Sequence, residues 1–134
     1  MLRYMLDTDI CIFVLRNRPP EVQRQFRQFE NELCISTITV GELFYGVERS
    51  ARRIENRLVV EEFIGNLNVL PFTMRAAAHF AQLRAELTNA GITCGPYDML
   101  IAGHARSEDL TVVVTNNVRE FGRIPGLQVE NWVA

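Results

Sequence analysis

The acidic residues that could bind a ligand or take part in catalysis follow short apolar runs or begin helix-like segments. Asp7 closes the apolar run 2–6, and Asp9 follows it after a single threonine. Glu42 lies early in a helical pattern that follows the second apolar run, and Asp98 lies in the first turn of a segment opened by proline. In open α/β sheets, ligands bind beyond the carboxyl ends of the strands. We therefore expect an acidic pocket that binds a cation.

A divalent metal ion suits such a pocket. Mg²⁺ and Mn²⁺ prefer oxygen ligands and take one or two carboxylates directly. Carboxylates packed together repel one another, which raises some of their pKa values until an ion enters. A bound ion lowers the pKa of a water molecule that can attack a phosphodiester. Hydroxyl and amide groups close by in the sequence are candidates to orient the carboxylates: Thr8, Ser36, Thr115 and Asn116.

Each acidic residue also has a purely structural interpretation. The first two aspartates are good residues for capping the next helix. A helical glutamate such as Glu42 is ordinarily solvated, and Asp98 favours the helix dipole at its position. Glu120 follows Asn117 by three residues, which is the spacing of a capping box. These alternatives remain open individually, but acidic or amide groups at four strand ends or helix starts together favour one shared site.

The elements that must position these residues alternate short apolar runs with longer amphipathic stretches. This pattern predicts a three-layer α/β/α domain over residues 1–134, with a central, mostly parallel sheet of about five strands. The predicted strands are 2–6, 33–36, 68–70, 111–115 and 127–129. The predicted helices are 10–15, 21–29, 37–49, 54–64, 73–89 and 96–107.

Composition indicates an ordinary globular protein. Apolar residues make up 48% of the 134 residues and charged residues 22%, which is typical of a soluble domain. No apolar stretch reaches the length of a membrane span, and the three cysteines are widely spaced, so we expect reduced thiols in a cytoplasmic protein. His79 and His104 lack metal-ligand spacing and are expected to be ordinary helix residues.

Four segments taken in order resemble the PIN-domain ribonucleases. They are 5–10 (MLDTDI), 36–43 (STITVGEL), 96–102 (PYDMLIA) and 114–121 (VTNNVREF). More narrowly, the chain is similar to VapC-type toxins of bacterial toxin–antitoxin pairs. The resemblance implies a Mg²⁺- or Mn²⁺-dependent endoribonuclease that cleaves structured RNA and inhibits translation. It further implies tRNA as substrate (initiator tRNA, cut in the anticodon stem-loop), a cognate VapB-type antitoxin and a homodimer.

By position, Asp7, Glu42 and Asp98 match the three acidic site residues of that family, with Asp7 and Asp98 expected to bind the metal. The first motif often reads Asp-Thr-Asn in the family, and Asp9 occupies the Asn position here. We expect Asp9 to act beside the metal ligands rather than as one of them. The family's fourth acidic position is Asn116 in this chain, and Glu120, about one helical turn later, is expected to fill that role.

Two surfaces are candidates for partners. The arginines 49, 53 and 57 are spaced as a stripe that suits RNA phosphates, although a solvated face with neighbouring glutamates explains the same pattern. Apolar residues around the acidic turns would mostly be core, with some forming a groove for the antitoxin or a homodimer contact. These residues are Arg49, Arg53 and Arg57 for RNA, and Ile10, Phe13, Phe44 and Tyr45 for the antitoxin.

Two other classes of function compete with the nuclease. A phosphoacceptor domain or aspartyl-phosphate phosphatase also begins with an Asp-x-Asp turn after a strand. Those sites characteristically hold the phosphoryl group with lysine, and this chain has none, because all 14 basic residues are arginine. The second alternative is a catalytically silent PIN-like binding module, which the intact Asp7, Glu42 and Asp98 disfavour.

Overall fold

The computed structural model describes residues 1–17, 19–110 and 112–133, which form an α/β/α sandwich. Its strands are β1 (Tyr4–Leu6), β2 (Leu33–Ser36), β3 (Asn68–Leu70), β4 (Val112–Val114) and β5 (Gln128–Glu130). Its α-helices are α1 (Thr8–Leu15), α2 (Pro20–Gln28), α3 (Thr37–Glu48), α4 (Arg53–Gly65), α5 (Met74–Asn89), α6 (Pro96–Ser107) and α7 (Val118–Phe121).

The five strands lie in the order β3-β2-β1-β4-β5, and every neighbouring pair is parallel. The chain first builds outward from β1 through β2 and β3, and then continues on the other side with β4 and β5. Strand order therefore reverses at β1. Helices that follow neighbouring strands leave a crevice at the carboxyl ends where such a reversal occurs.

Alternating side chains of the central strands divide the apolar interior into two cores. Tyr4 and Leu6 of β1 face one core, whereas Met5 between them faces the other. The same alternation holds in β2 and β4, as expected when successive side chains point to opposite faces of a sheet. Helices α1 to α4 cover the first core and helices α5 and α6 the second. Both faces of the sheet are therefore buried, which explains the continuous apolar runs in the sequence.

Helices α5 and α6 pack closely because one of their contacts involves a glycine. A Cβ on Gly103 would lie 2.7 Å from the backbone nitrogen of Phe80. The two helix backbones therefore approach more closely here than any larger residue would permit. This contact fixes α6, whose first turn carries Asp98.

The predicted order of elements is confirmed, and the sheet is wholly parallel. β2, β3 and α6 have the predicted bounds, and the other predicted helices differ by at most two residues at an end. β1 begins at Tyr4 rather than Leu2, and β5 is displaced by one residue. The predicted strand 111–115 is observed as Val112–Val114, and Thr111 lies outside the described residues. The short helix α7 was not predicted.

None of the helices in the described part of the chain combines the length and apolar character that crossing a membrane requires.

Candidate active site

The carboxyl edge of the sheet brings four predicted acidic residues together from four helices. Asp7 caps α1, Glu42 lies in α3, Asp98 in the first turn of α6, and Glu120 in α7. The charges of Glu120 and Glu42 raise the pKa of Asp98, and the charge of Asp98 raises the pKa of Asp7. The four carboxylates therefore lie around one pocket. The pocket opens at the carboxyl ends of β1 and β4, beside the reversal of strand order.

Asp7 is held by two short hydrogen bonds and is only 5% exposed. Its Oδ1 accepts from the Thr8 N–H (2.7 Å), and its Oδ2 accepts from the Thr115 hydroxyl (2.8 Å). Thr115 is fully buried, and its Oγ1 accepts from the Asn117 N–H (2.8 Å). Asp7 therefore caps α1, as its structural interpretation expects, and also lies in the acidic cluster. Its role in metal binding stays a prediction.

Asp9 is held on one side only. Its Oδ2 accepts from the Asn116 N–H (3.1 Å), which ties the start of α1 to the loop after β4. Among the described residues, its buried Oδ1 has no hydrogen-bond partner. The Asn116 side chain points elsewhere, since its Oδ1 accepts from Asn131 Nδ2 (3.3 Å). A buried carboxylate oxygen without a donor is costly unless a cation or proton neutralises it.

Glu42 is connected to the start of α1 by a hydroxyl. The Thr8 Oγ1 donates to Glu42 Oε1 (2.6 Å) and lies 3.3 Å from the Thr39 hydroxyl. Thr8 thus bonds Asp7 through its backbone and Glu42 through its side chain. The alternative interpretation of Glu42 was an ordinary solvated helix residue. Its carboxylate instead belongs to the hydrogen-bond network of the site.

Ser36 orients a helix rather than a carboxylate. Its buried Oγ accepts from the Ile38 N–H (3.0 Å) and bonds His104 Nδ1 (2.7 Å). The first of these bonds caps α3, the helix that carries Glu42. His104 is fully buried, and burial lowers its pKa. As predicted, this histidine is a packed helix residue; the carboxylate near its ring is that of Glu108, 3.7 Å from Nε2 and outside the acidic cluster.

Asp98 and Glu120 face each other across the first turns of α6 and α7. Asn117 Nδ2 lies 3.4 Å from both Asp98 Oδ2 and Glu120 Oε2 and donates to them. The Gly95 N–H donates to Glu120 Oε2 (3.4 Å), and a Cβ at Gly95 would lie 3.4 Å from Asp98 Oδ2. The capping-box interpretation of Asn117 and Glu120 is therefore wrong, because the Asn117 side chain caps no helix and turns to the carboxylates.

Crowding and burial hold protons on this cluster. Burial, followed by the charge of Asp9, raises the pKa of Asp7 to about 8. Burial and then the hydrogen bond with Glu120 raise the pKa of Asp98 to about 7. The pKa of Glu120 is lowered, chiefly because Asp98 donates to it, and burial raises that of Asp9. Such shifts are expected where several carboxylates share a site that lacks a counter-charge.

The donor set fits a divalent ion. The pocket offers carboxylate oxygens with no arginine ion pair among the described residues that could neutralise them. Asp9 Oδ1 is buried without a partner, and Asp98, Glu120 and Cys94 place ligand atoms within 4.8 Å of one another. Hard divalent ions take oxygen ligands of this kind. Asp7 and Asp98 are the residues expected to bind the ion directly.

The predicted arginine stripe is largely paired within the protein. Arg57 bonds Glu61 (2.7 Å) and lies 4.0 Å over the Phe44 ring, while Arg53 lies 3.9 Å from Glu48. Arg49 donates to the Tyr45 hydroxyl (3.1 Å). Arg53 and Arg57 thus pair with glutamates on the same exposed surface, whereas Arg49 contacts only a neutral hydroxyl. The pairing favours the alternative of a solvated helix face for Arg53 and Arg57.

A mostly apolar groove of ≈ 340 Å³ lies between α1, α3 and α4, with Glu42 among its lining residues. Two of its apolar lining residues are open to solvent, Ile12 (36%) and Val59 (53%). Tyr45 is exposed too, but it is not among the residues that line the groove. Phe13 and Phe44 are partly buried against the core, whereas Ile10 is fully buried. Placing Ile10 on a partner surface was therefore wrong: it faces inward from α1, and Ile12 is the isoleucine that is exposed.

Three contributors to the pocket escaped prediction: Cys94, Gly95 and the Asn117 side chain. Cys94 lies 3.8 Å from Glu120 through its sulfur, although its sequence surroundings suggest only an apolar core residue. Its one local signal is its position, four residues before Asp98. Burial, with the charge of Glu120 next, raises the pKa of its thiol to about 11.

Comparison with known proteins identifies this architecture. A family model described as "PIN domain" matches residues 4–127, so the chain belongs to the PIN-domain family. Over 98% of its length it is 51% identical to the "tRNA(fMet)-specific endonuclease VapC" of Salmonella typhimurium, covering 99% of that protein. It is 47% identical to the protein of the same name in Shigella flexneri, with the same coverage.

Solved structures agree with this assignment. The toxin–antitoxin structure described as "DNA bound VapBC from Salmonella typhimurium" contains a chain that matches with a TM-score of 0.94 and 51% identity, over 98% of this chain and 99% of that one. The prediction of a VapC-type PIN domain with a three-layer fold is confirmed, and with it the class of enzyme. The phosphoacceptor alternative is correspondingly excluded.

Proposed function

We propose that this protein is a Mg²⁺- or Mn²⁺-dependent endoribonuclease toxin that cleaves tRNA, with initiator tRNA cut in the anticodon stem-loop as its substrate. The observation that supports this most strongly is the carboxylate pocket formed by Asp7, Glu42, Asp98 and Glu120. The substrate is supported by the names of relatives at 51% and 47% identity, which specify tRNA(fMet). Residues 1–134 would act as one catalytic domain.

Asp7 and Asp98 would hold the divalent ion, with Glu42 and Glu120 beside them. When bound, such an ion lowers the pKa of a water molecule and stabilises the charge that develops on a cleaved phosphodiester. Asp7 is well suited to a fixed ligand role, because Thr8 and Thr115 orient both of its oxygens. Thr8 also donates a hydrogen bond to Glu42, so this one residue orients two carboxylates.

Asp98 and Glu120 share a proton in the metal-free pocket. Burial and Glu120 raise the pKa of Asp98 to about 7, and the hydrogen bond from Asp98 lowers the pKa of Glu120. An ion bound to Asp98 would displace this proton, because a carboxylate ligand must be deprotonated. The Asn117 amide, which donates to both carboxylates, keeps them aligned.

The test is cleavage of purified initiator tRNA beside an elongator tRNA. We expect cleavage with Mg²⁺ or Mn²⁺, none with EDTA, and a loss of about a hundredfold or more in Asp7→Asn, because a fixed ligand is removed. Asp109→Asn is the matched control. Asp109 is exposed, and its φ of 56° is one that asparagine tolerates. Cleavage that survives EDTA or Asp7→Asn would refute the mechanism, and equal cleavage of both tRNAs would refute the specificity.

We further propose that the apolar groove between α1, α3 and α4 receives a segment of a VapB-type antitoxin. The groove is mostly apolar and includes Glu42 in its lining, so an occupant would lie beside a carboxylate of the acidic pocket. Relatives of known structure are VapBC complexes. Val59→Glu, at an exposed residue that lines the groove, should abolish co-purification with the antitoxin encoded beside the gene, whereas Met74→Glu, at an exposed apolar residue of α5, should not. Equal binding by both variants would place the antitoxin elsewhere.

Homodimer formation stays a prediction, as does the contribution of Arg49, Arg53 and Arg57 to RNA binding. Arg53 and Arg57 line an adjoining depression that shares Val47 with the groove, so they could also contact an occupant of the groove. A triple Arg→Gln variant separates the two roles, because it would weaken tRNA binding in one case and antitoxin binding in the other.

A further inference from the structure

Cys94 lies where the second core meets the acidic pocket. Cys94 is 8% exposed, and its sulfur lies 3.8 Å from Glu120 Oε2. The sulfur and carboxylate oxygens of Asp98 and Glu120 all fall within 4.8 Å of one another. Cys94 also lines a surface depression of ≈ 340 Å³ with Thr93 and Met99. The residue therefore borders a solvent-filled depression as well as the carboxylates.

The spacing of these atoms suits a tetrahedral ion with sulfur and oxygen ligands. Zn–S bonds of ~2.3 Å and Zn–O bonds of ~2.1 Å at a tetrahedral angle separate sulfur from oxygen by ~3.6 Å. The observed separation of Cys94 Sγ and Glu120 Oε2 is 3.8 Å, so a small contraction would suffice. Because Mg²⁺ has little affinity for thiols, Cys94 would not strengthen its binding, whereas a thiophilic ion would gain a ligand.

Cys34 shows what a purely structural cysteine looks like in the same core. It is fully buried in β2 and packs in the second core with Cys94. Among the described residues, the group with metal-ligand geometry includes Cys94 and does not include Cys34. Cys94 is thus distinguished by its position beside carboxylates and not by burial.

We propose that Cys94, Asp98 and Glu120 form a site for a thiophilic divalent ion such as Zn²⁺, which competes with Mg²⁺ or Mn²⁺ for Asp98. The inference rests on the proposed metal-binding role of Asp98. Binding would form the metal–sulfur bond and release the thiol proton to solvent. The pocket would then discriminate between ions according to which of its sides they occupy.

Metal-free, full-length protein would be titrated with Co²⁺, which reports sulfur ligation through a sulfur-to-cobalt charge-transfer band. We expect the band in wild-type protein and in Cys34→Ala, and its loss in Cys94→Ala and Cys94→Ser. In competition with a chromophoric chelator, Zn²⁺ affinity should fall about tenfold or more in Cys94→Ala. Mn²⁺ affinity, measured by electron paramagnetic resonance, should change by less than about twofold. Circular dichroism checks that each variant is folded.

The outcomes separate this inference from the proposed function. A wild-type protein that binds Mn²⁺ but gives no charge-transfer band would overturn the thiophilic site and leave the nuclease proposal intact. A band that persists in folded Cys94→Ala would overturn it too. A band that depends on Cys94, in a protein that fails to bind Mn²⁺, would support the thiophilic site and contradict the Mg²⁺- or Mn²⁺-dependent mechanism.

Discussion

The acidic pocket has two unlike sides. The strand side (Asp7, Asp9 and Thr115) follows β1 and β4, and its hydrogen bonds measure 2.7 to 3.1 Å. The helix side (Cys94, Asp98 and Glu120) is built at the start of α6 and α7, where the corresponding separations are 3.4 to 3.8 Å. Asp7 is buried, whereas Asp98 and Glu120 are partly exposed.

This difference assigns different tasks to the two sides. Short hydrogen bonds from Thr8 and Thr115 hold Asp7 in one orientation. Its oxygens therefore need little reorganisation when an ion binds. The longer contacts of Asp98 and Glu120 leave those carboxylates able to adjust when an ion or a phosphodiester arrives. A fixed side that anchors the metal and an adaptable side that meets the substrate follow from where each residue lies in the fold.

Replacing single carboxylates by amides tests whether the strand side is the fixed anchor of the metal. Asp7→Asn should lower Mn²⁺ affinity by about a hundredfold, and Glu120→Gln by about tenfold, because only the former removes a pre-oriented ligand. Calorimetric titration of the two variants with Mn²⁺ measures the difference. Equal losses would show that the two sides contribute alike, and a greater loss in Glu120→Gln would reverse the assignment.

The two sides should also reveal themselves through pH. Burial raises the pKa of Asp7 to about 8 and that of Asp98 to about 7, above the ordinary value of 3.8. The folded, metal-free protein therefore binds more protons than the unfolded chain between these values. Its stabilisation from these protons is complete below about pH 4 and is lost as the pH rises through 7 and 8.

Metal binding should show the opposite trend, because the ion displaces these protons. At about a hundredfold excess over its dissociation constant, Mn²⁺ should raise the free energy of unfolding by about 2.7 kcal/mol near pH 8.5, and by less at pH 6. Thermal denaturation with and without Mn²⁺ at both pH values measures this. In Asp7→Asn the dependence should flatten. An increment that is the same at both pH values would contradict proton displacement.

The strand side was the more predictable of the two, for a physical reason. Asp7, Thr8 and Asp9 are contiguous with the apolar run of β1, so the sequence alone locates them at a strand end. β2 and β3 were likewise bounded correctly, since a helix or turn signal follows each apolar run directly. Local patterns are sufficient where the elements of a site are neighbours in the chain.

The helix side depends on contacts that no local pattern encodes. Cys94 and Glu120 are 26 residues apart and meet only because α6 and α7 begin at the same edge of the sheet. Asn117 has capping-box spacing to Glu120, but its side chain turns to Asp98 once that edge is assembled. Ile10 was misplaced for a related reason: α1 is apolar on nearly all faces, so its sequence does not say which isoleucine points outward.

The smallest expected effect concerns the polar residues that support each side. Thr115 is fully buried and donates to Asp7 at 2.8 Å, so Thr115→Val removes a well-formed bond and leaves the Asn117 N–H without its acceptor. We expect a loss of about 1–2 kcal/mol in the free energy of unfolding, measured by urea denaturation without metal. Asn117→Ala removes only two contacts of 3.4 Å at a partly exposed residue and should cost less than about 0.5 kcal/mol. Thr93→Val, at an exposed residue outside both sides, serves as the control for a threonine-to-valine change. If Asn117→Ala lowered the free energy of unfolding as much as Thr115→Val, the helix side would be held as firmly as the strand side. That result would contradict the proposal that the helix side is the adaptable one.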